Sequence, residues 1–168
     1  NIIAYAPNGS ITYYNDTHGK YYDVDPVAGE SMTVEYVATD TIYEESERCR
    51  KPPCAYNAVE RVNLSTGAVT EVYGRHVYRE KAGEWHDVDR VDDRHLVVAD
   101  IVHDTVWMVD TETGMREWTW DAQTAYPTDE GGRFPDNWVH LNDVEVLQDG
   151  RVMASLRNQD QVVFIDPD

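Results

Sequence analysis

The chain has 168 residues, with 32 acidic against 14 basic side chains and a formal net charge of −18. A surface of that sign repels phosphate backbones and anionic headgroups, which argues against nucleic-acid and membrane-surface partners. No apolar run reaches the roughly eighteen residues of a membrane span, and the opening "NIIAYAPNGS" has no signal-peptide pattern.

In chain order, every periodic segment is short and strand-like. "NIIAYA", a turn at "PNG" and "SITYYN" form a strand pair over residues 1–20. Residues 21–75 open on "YDVDP", and contain an insertion between about Ile42 and Tyr56, a turn at "NLSTG" and a last strand "AVTEVY". Residues 84–121 run through "HDVDRV", "HLVVAD", "TVWMVD", a turn at "DTETG" and "MREWTW". Residues 138–168 hold "NDVEVL", a turn at Asp149-Gly150, "RVMASL" and "QVVFID". Trp107, Trp118 and Trp120 fall on strands, where indoles more often pack between sheets than face a substrate.

These segments are copies of one unit. His86–Glu112 superposes on Asn142–Asp168 with a constant shift of 56 and no gap, so that Asp87 meets Asp143, Asp104 meets Asp160 and Asp110 meets Asp166. An earlier copy starts at Tyr22, shifted by 64 from its successor, as Asp23 is from Asp87. A four-stranded antiparallel repeat of this length is the plan of a β-propeller blade. The expected fold is therefore all-β, a propeller of four-stranded blades of which about three to four are present: a half-blade over 1–20, blades over 21–75 and 84–121, and a partial blade over 138–168. First strands are expected near Asp23–Val27, Asp87–Val91 and Asp143–Leu147. Because a propeller closes to remove its sheet edges, the chain is read as an excerpt of a longer ring, or as a protomer whose copies complete one.

Several features bear on where the protein works. Cys49 and Cys54 in "CRKPPC" suit a structural disulfide in the insertion, with free thiols the alternative; a metal site would want more ligands than this loop supplies. Sequons at Asn8, Asn15 and Asn63 point with the cysteines toward an exported, cell-surface or extracellular protein. Abundant acid with scarce lysine is the composition of a protein soluble in concentrated salt, and so of a halophile.

The last copy also carries His140, Asn142 and Arg157. With Asp149-Gly150 as a two-residue hairpin turn, Gln148 faces Arg151 and Asn142 falls opposite Arg157. His140, two residues before Asn142, then points to the same face. The position of Asn142 is taken by His86 one copy earlier and by Tyr22 before that. First strands line the channel of a propeller, so these side chains would gather at one mouth, where arginine and imidazoles can hold a tetrahedral oxyanion. The plainer alternative makes His86 and His140 strand-end hydrogen-bonding residues and pairs Arg157 with Asp100 or Asp143. His18, His76, His95 and His103 have no repeat position of this kind and are expected to serve surface roles.

Together, the His-x-Asn of His140 and Asn142, the Ser-x-Arg-Asn-Gln of Ser155–Gln159 and the preceding "WHDVDRVDDRHLVVADIVHDTVWMVDTETGMREWTWDAQ" resemble the arylsulfotransferase family as it occurs in haloarchaea. The resemblance implies a six-bladed propeller that moves a sulfuryl group from a phenolic sulfate donor to a phenol acceptor through a sulfated histidine, with no free nucleotide donor and no cofactor. It also implies that His140 and Arg157 bind sulfate with Asn142 beside them, that His86 is a further candidate, and that the nucleophilic histidine comes from a blade past Asp168. Two other readings compete. One is a Ca²⁺-dependent lactonase-like propeller with Asn142, Glu145 or Asp100 as ligands, which a cation at Arg157 disfavours. The other is a non-catalytic exported propeller that binds a partner or a cell-wall glycan.

Overall fold

The computed structural model describes residues 1–77 and 83–167 and is all-β, with antiparallel strands in four sheets and two short 3₁₀ turns. It falls into two compact units, Asn1–Gly83 and Glu84–Asp168. Among the described residues no helix is long and apolar enough to cross a membrane.

The first unit contains the hairpin β1 (Ile2–Tyr5) and β2 (Ile11–Asn15), then a meander of β3 (Lys20–Pro26), β4 (Thr33–Ile42), β5 (Cys54–Asn63) and β6 (Ala68–Val77). Ile2, Tyr36, Ala38 and Val62 form a small buried core. Turn chemistry sets the connections. At the β5–β6 turn, Asn63 Oδ1 accepts from the backbone N–H groups of Ser65 and Thr66, and Gly67 takes a φ of 74° that glycine adopts without strain. Cys49 and Cys54 are joined by a disulfide, both fully buried, with Cα atoms 5.7 Å apart. Cys54 opens β5 opposite Ile42, so the bond closes the base of the insertion between β4 and β5.

His18 departs from the surface role expected of it. Its Nδ1 lies 2.8 Å from Asp40 and its Nε2 3.1 Å from Glu60, whose other oxygen accepts from the hydroxyl of fully buried Tyr36. Burial opposes the charged ring, but the two carboxylates outweigh it and raise the pKa.

The second unit stacks two sheets. One is β7 (Trp85–Arg90), β8 (His95–Asp100), β9 (Thr105–Asp110) and β10 (Arg116–Asp121); the other is β11 (Leu141–Val146), β12 (Val152–Leu156) and β13 (Gln161–Ile165). Alternation on β8 and β12 sends Val97, Ala99, Val152, Ala154 and Leu156 into a shared core with Trp138, Val139 and Leu141. Burying one such Val or Leu contributes about 1.5–3 kcal/mol.

The Asp-x-Asp pattern of the sequence ties these sheets together. Asp87 accepts from the N–H of Val88 at 2.8 Å and from that of Val144, on β11, at 2.6 Å. Asp89 repeats the arrangement with Arg90 and Val146, at 2.7 and 2.6 Å. Carboxylates on one first strand therefore satisfy the outward N–H groups of the next, which an unpaired sheet edge would leave open.

Two expectations about register are corrected. The first strands begin two or three residues earlier than the repeat alignment places them, at Lys20, Trp85 and Leu141, because pairing continues through a β-bulge near the start of each. The turn at Asp149-Gly150 is a three-residue loop. Leu147 N–H bonds Arg151 O at 2.8 Å, Gly150 N–H bonds Leu147 O at 3.0 Å, and Gly150 takes the left-handed place with a φ of 88°. The ladder is thereby shifted by one residue, so Val146 faces Val152 and Asp143 faces Ser155.

Candidate functional site

The bulge on β11 puts Asn142 between Leu141, which pairs with Leu156, and Asp143, which pairs with Ser155. Asn142 thus has no cross-strand neighbour, and the expected pairing with Arg157 does not occur. Arg157 has left the ladder for the 3₁₀ turn Arg157–Gln159. His140 likewise precedes β11 and takes a left-handed φ of 55°, so its direction comes from that turn rather than from strand alternation. His86 is the bulge residue of β7, and the corresponding residue of β3 is Asp23 rather than Tyr22.

All four predicted residues nevertheless meet. The rings of His86 and His140 lie edge to face with centroids 5.2 Å apart, His86 Nδ1 is 3.4 Å from Asn142 Oδ1, and Arg157 Nη2 lies 3.0 Å from His140 Nδ1. Glu84 Oε2, 3.7 Å from His86 Nε2, backs the far side of that ring. His140 is held down to about 4, first by burial, then by the charges of Arg157 and His86, against a hydrogen bond with Asn142. It is a neutral imidazole at any ordinary pH. Its Nδ1 also touches Asn137 Oδ1. The nitrogen donates to Asn137 or accepts from Arg157, but one proton cannot serve both. The alternative partners for Arg157, Asp100 and Asp143, are not used, and no carboxylate pairs with it among the described residues. Asp100 is instead occupied in the β8–β9 turn by the N–H groups of Val102 and His103 and by the His103 ring.

Neighbouring groups that sequence reasoning missed hold His140 in place. Asp104 is buried and accepts from the N–H of Val139 at 3.2 Å; burial pushes its carboxyl up to about 6 against the backbone bonds of Val139 and His140. Arg157 N–H bonds His140 O at 3.2 Å, and Asn158 N–H bonds Val139 O at 3.0 Å. Side chains of the same turn reach further back: Asn158 Nδ2 donates to Asn137 O at 2.6 Å and Gln159 Nε2 to Glu130 O at 3.4 Å. The Arg-Asn-Gln triplet therefore supplies one cation to the site and two staples for the excursion, residues 130–140, that delivers His140. Its adjacency to Arg157 in the sequence was the available signal.

A family model described as Arylsulfotransferase (ASST) matches residues 70–168, more than half of the chain and all of the second unit. The chain belongs to the arylsulfotransferase family. No curated protein matches it. Every residue of the cluster lies within the stretch that matches the family, and the resemblance drawn from His140, Asn142 and Ser155–Gln159 is upheld at that level.

Among the described residues one His/Asp/Glu group is close enough to hold a metal, His95, Asp110 and Glu117. It lies apart from the cluster and is committed to ion pairs: Arg94 bonds Asp110, and Asp92 takes His95 Nδ1 at 2.9 Å. Chemically, the His140 cluster brings a guanidinium, two imidazoles and an amide into mutual contact, a donor set for an oxyanion.

Proposed function

We propose that the chain is part of a β-propeller arylsulfotransferase, in which His140, Arg157, Asn142 and His86 bind the sulfuryl group passing from a phenolic sulfate to a phenol. The supporting observation is Arg157, a guanidinium beside a neutral imidazole with no carboxylate partner among the described residues, in a chain of net charge −18. Leaving a cation unneutralised in so acidic a protein suits a site whose counter-ion is the ligand. Negative charge spreads over the sulfuryl oxygens during transfer, and donors already in place stabilise it. On this reading the histidine that receives the sulfuryl group belongs to a further blade, and this cluster is its oxyanion-binding partner.

The propeller has a half-blade over residues 1–20, blades over 21–75 and 84–121 and a partial blade over 138–168; the bonds from β7 carboxylates to β11 support the stacking of the last two, and Asp143 and Glu145 on β11 are exposed and present the same chemistry to a next first strand. The disulfide supports export, and the charge supports a salt-rich setting.

Sulfuryl transfer from 4-nitrophenyl sulfate to phenol by the full-length protein tests this reading. Arg157→Leu is expected to lower kcat/KM by at least about 100-fold, the usual cost of removing one oxyanion donor, and to leave the unfolding midpoint unchanged. Unchanged transfer in the variant refutes the oxyanion role, and a wild-type protein that binds aryl sulfates without transferring them leaves a binding propeller in its place.

A further inference from the structure

Beside the cluster is a hollow of about 360 Å³ whose polar lining holds two cations, Arg133 and Arg157, two carboxylates, Asp136 and Asp160, and the amides of Asn137 and Asn158. Such a volume suits one small aryl ligand. Arg61, Arg94, Arg116 and Arg151 each pair with a carboxylate. Arg133 and Arg157, like Arg48, Arg50 and Arg75, show no such pair among the described residues, and Arg133 and Arg157 line this one hollow. Neither carboxylate there forms an ion pair with them, and Asp160 is exposed at the end of the 3₁₀ turn, so an anion entering the hollow meets both guanidinium groups.

The loop carrying Arg133 is fixed from both sides. Gly132 N–H bonds Trp138 O at 2.9 Å, Trp138 Nε1 donates to Glu130 O at 2.7 Å, and Asn158 holds Asn137. Arg133 therefore lines, from an anchored backbone, the hollow that Arg157 also lines, and Arg157 in turn contacts His140. Resting on the sulfuryl-binding role of Arg157, we propose that Arg133 is a second anion contact, selecting aryl sulfates that carry another anionic group, such as a carboxylate, on the ring. Arg157 takes the sulfuryl end and Arg133 the substituent, with the ring in the hollow between them.

Calorimetry of the full-length protein with phenyl sulfate and with 4-carboxyphenyl sulfate separates the two contacts, and transfer from the same two donors is measured in parallel. Arg133→Gln is expected to weaken the dianion by about 3–10-fold, as befits an exposed charge contact, and to leave phenyl sulfate unchanged. Arg133→Lys should restore part of the loss, and Arg157→Leu should weaken both ligands. Equal effects of Arg133→Gln on the two ligands, no effect on either, or no binding of the dianion by the wild type overturns the proposal. Selective loss of dianion binding in a protein that transfers no sulfuryl group upholds the Arg133 contact and refutes the transferase reading instead.

Discussion

The imidazole of His86 meets that of His140 edge-on, ring centroids 5.2 Å apart and planes inclined at 75°. Arg157 approaches His140 from another side, at Nδ1. Burial first, and then the charges of Arg157 and His86, oppose a proton on this ring and outweigh its hydrogen bond with Asn142, which holds it down to about 4. In an NMR titration His140 should stay neutral through pH 5, below the usual imidazole range. Arg157→Gln removes one repelling cation and should move its midpoint upward, though not fully to the ordinary value, because burial remains. A midpoint that does not move contradicts the electrostatic coupling.

Asp104 gives a pH signature of the opposite sense. Its carboxyl, pushed up to about 6, keeps its proton in the folded state where an unfolded chain has already lost it. The folded protein then binds more protons between about pH 4 and 6, so this group's stabilising contribution is present below that window and lost as pH rises through it. The loss amounts to up to about 3 kcal/mol for a buried group. Urea denaturation at pH 4 and pH 7 should show Asp104→Asn lacking this component, while the amide oxygen that remains can still accept from Val139 and keep His140 in place.

Gly132 sits where a side chain has no room. A Cβ there would strike Asn137 O, and would come within 2.6 Å of Asn158 Nδ2 and 2.8 Å of Trp138 O. Gly132→Ala is expected to cost about 1–3 kcal/mol and to lower phenyl sulfate affinity, by displacing the staple that positions His140. Gly114→Ala is the control. Gly114 has a φ of 70° but open space, so the change should cost about 1 kcal/mol of backbone strain and leave binding alone.

The carboxylates of β7 can be graded by burial. Asp87 is 4% exposed and Asp89 only partly buried. Asp87→Ala leaves the Val144 N–H without its acceptor and should cost about 2–4 kcal/mol, Asp89→Ala about 1–2 kcal/mol, in chemical denaturation. Equal costs for the two would show that water replaces either carboxylate.

Much of this was legible in the sequence. The shift of 56 locates β7 and β11, and His-x-Asn with the Ser-x-Arg-Asn-Gln run identifies the residues that meet at the site. Their geometry was not legible, because it depends on two one-residue slips. Gly150 takes the third place of a three-residue loop, where Asp-Gly alone suggests two, and the bulge at Asn142 adds a second offset. Counting across the hairpin therefore pairs Asn142 with Arg157, whereas the arginine reaches His140 from beyond the strand. Asp104 and Asn137 escaped notice for a different reason: they act on His140 from 36 and three residues away, through a backbone bond and a left-handed turn that no periodicity encodes.

The bulges have a wider consequence. Asp23, His86 and Asn142 occupy the same niche in their respective first strands: carboxylate, imidazole and amide. A bulged residue has no opposite partner, so its side chain can be exchanged without disturbing a cross-strand pair or the register beyond it. Each repeat thus contains one interchangeable socket, independent of the architecture around it, through which copies of one sheet plan can acquire different chemistry at the same place.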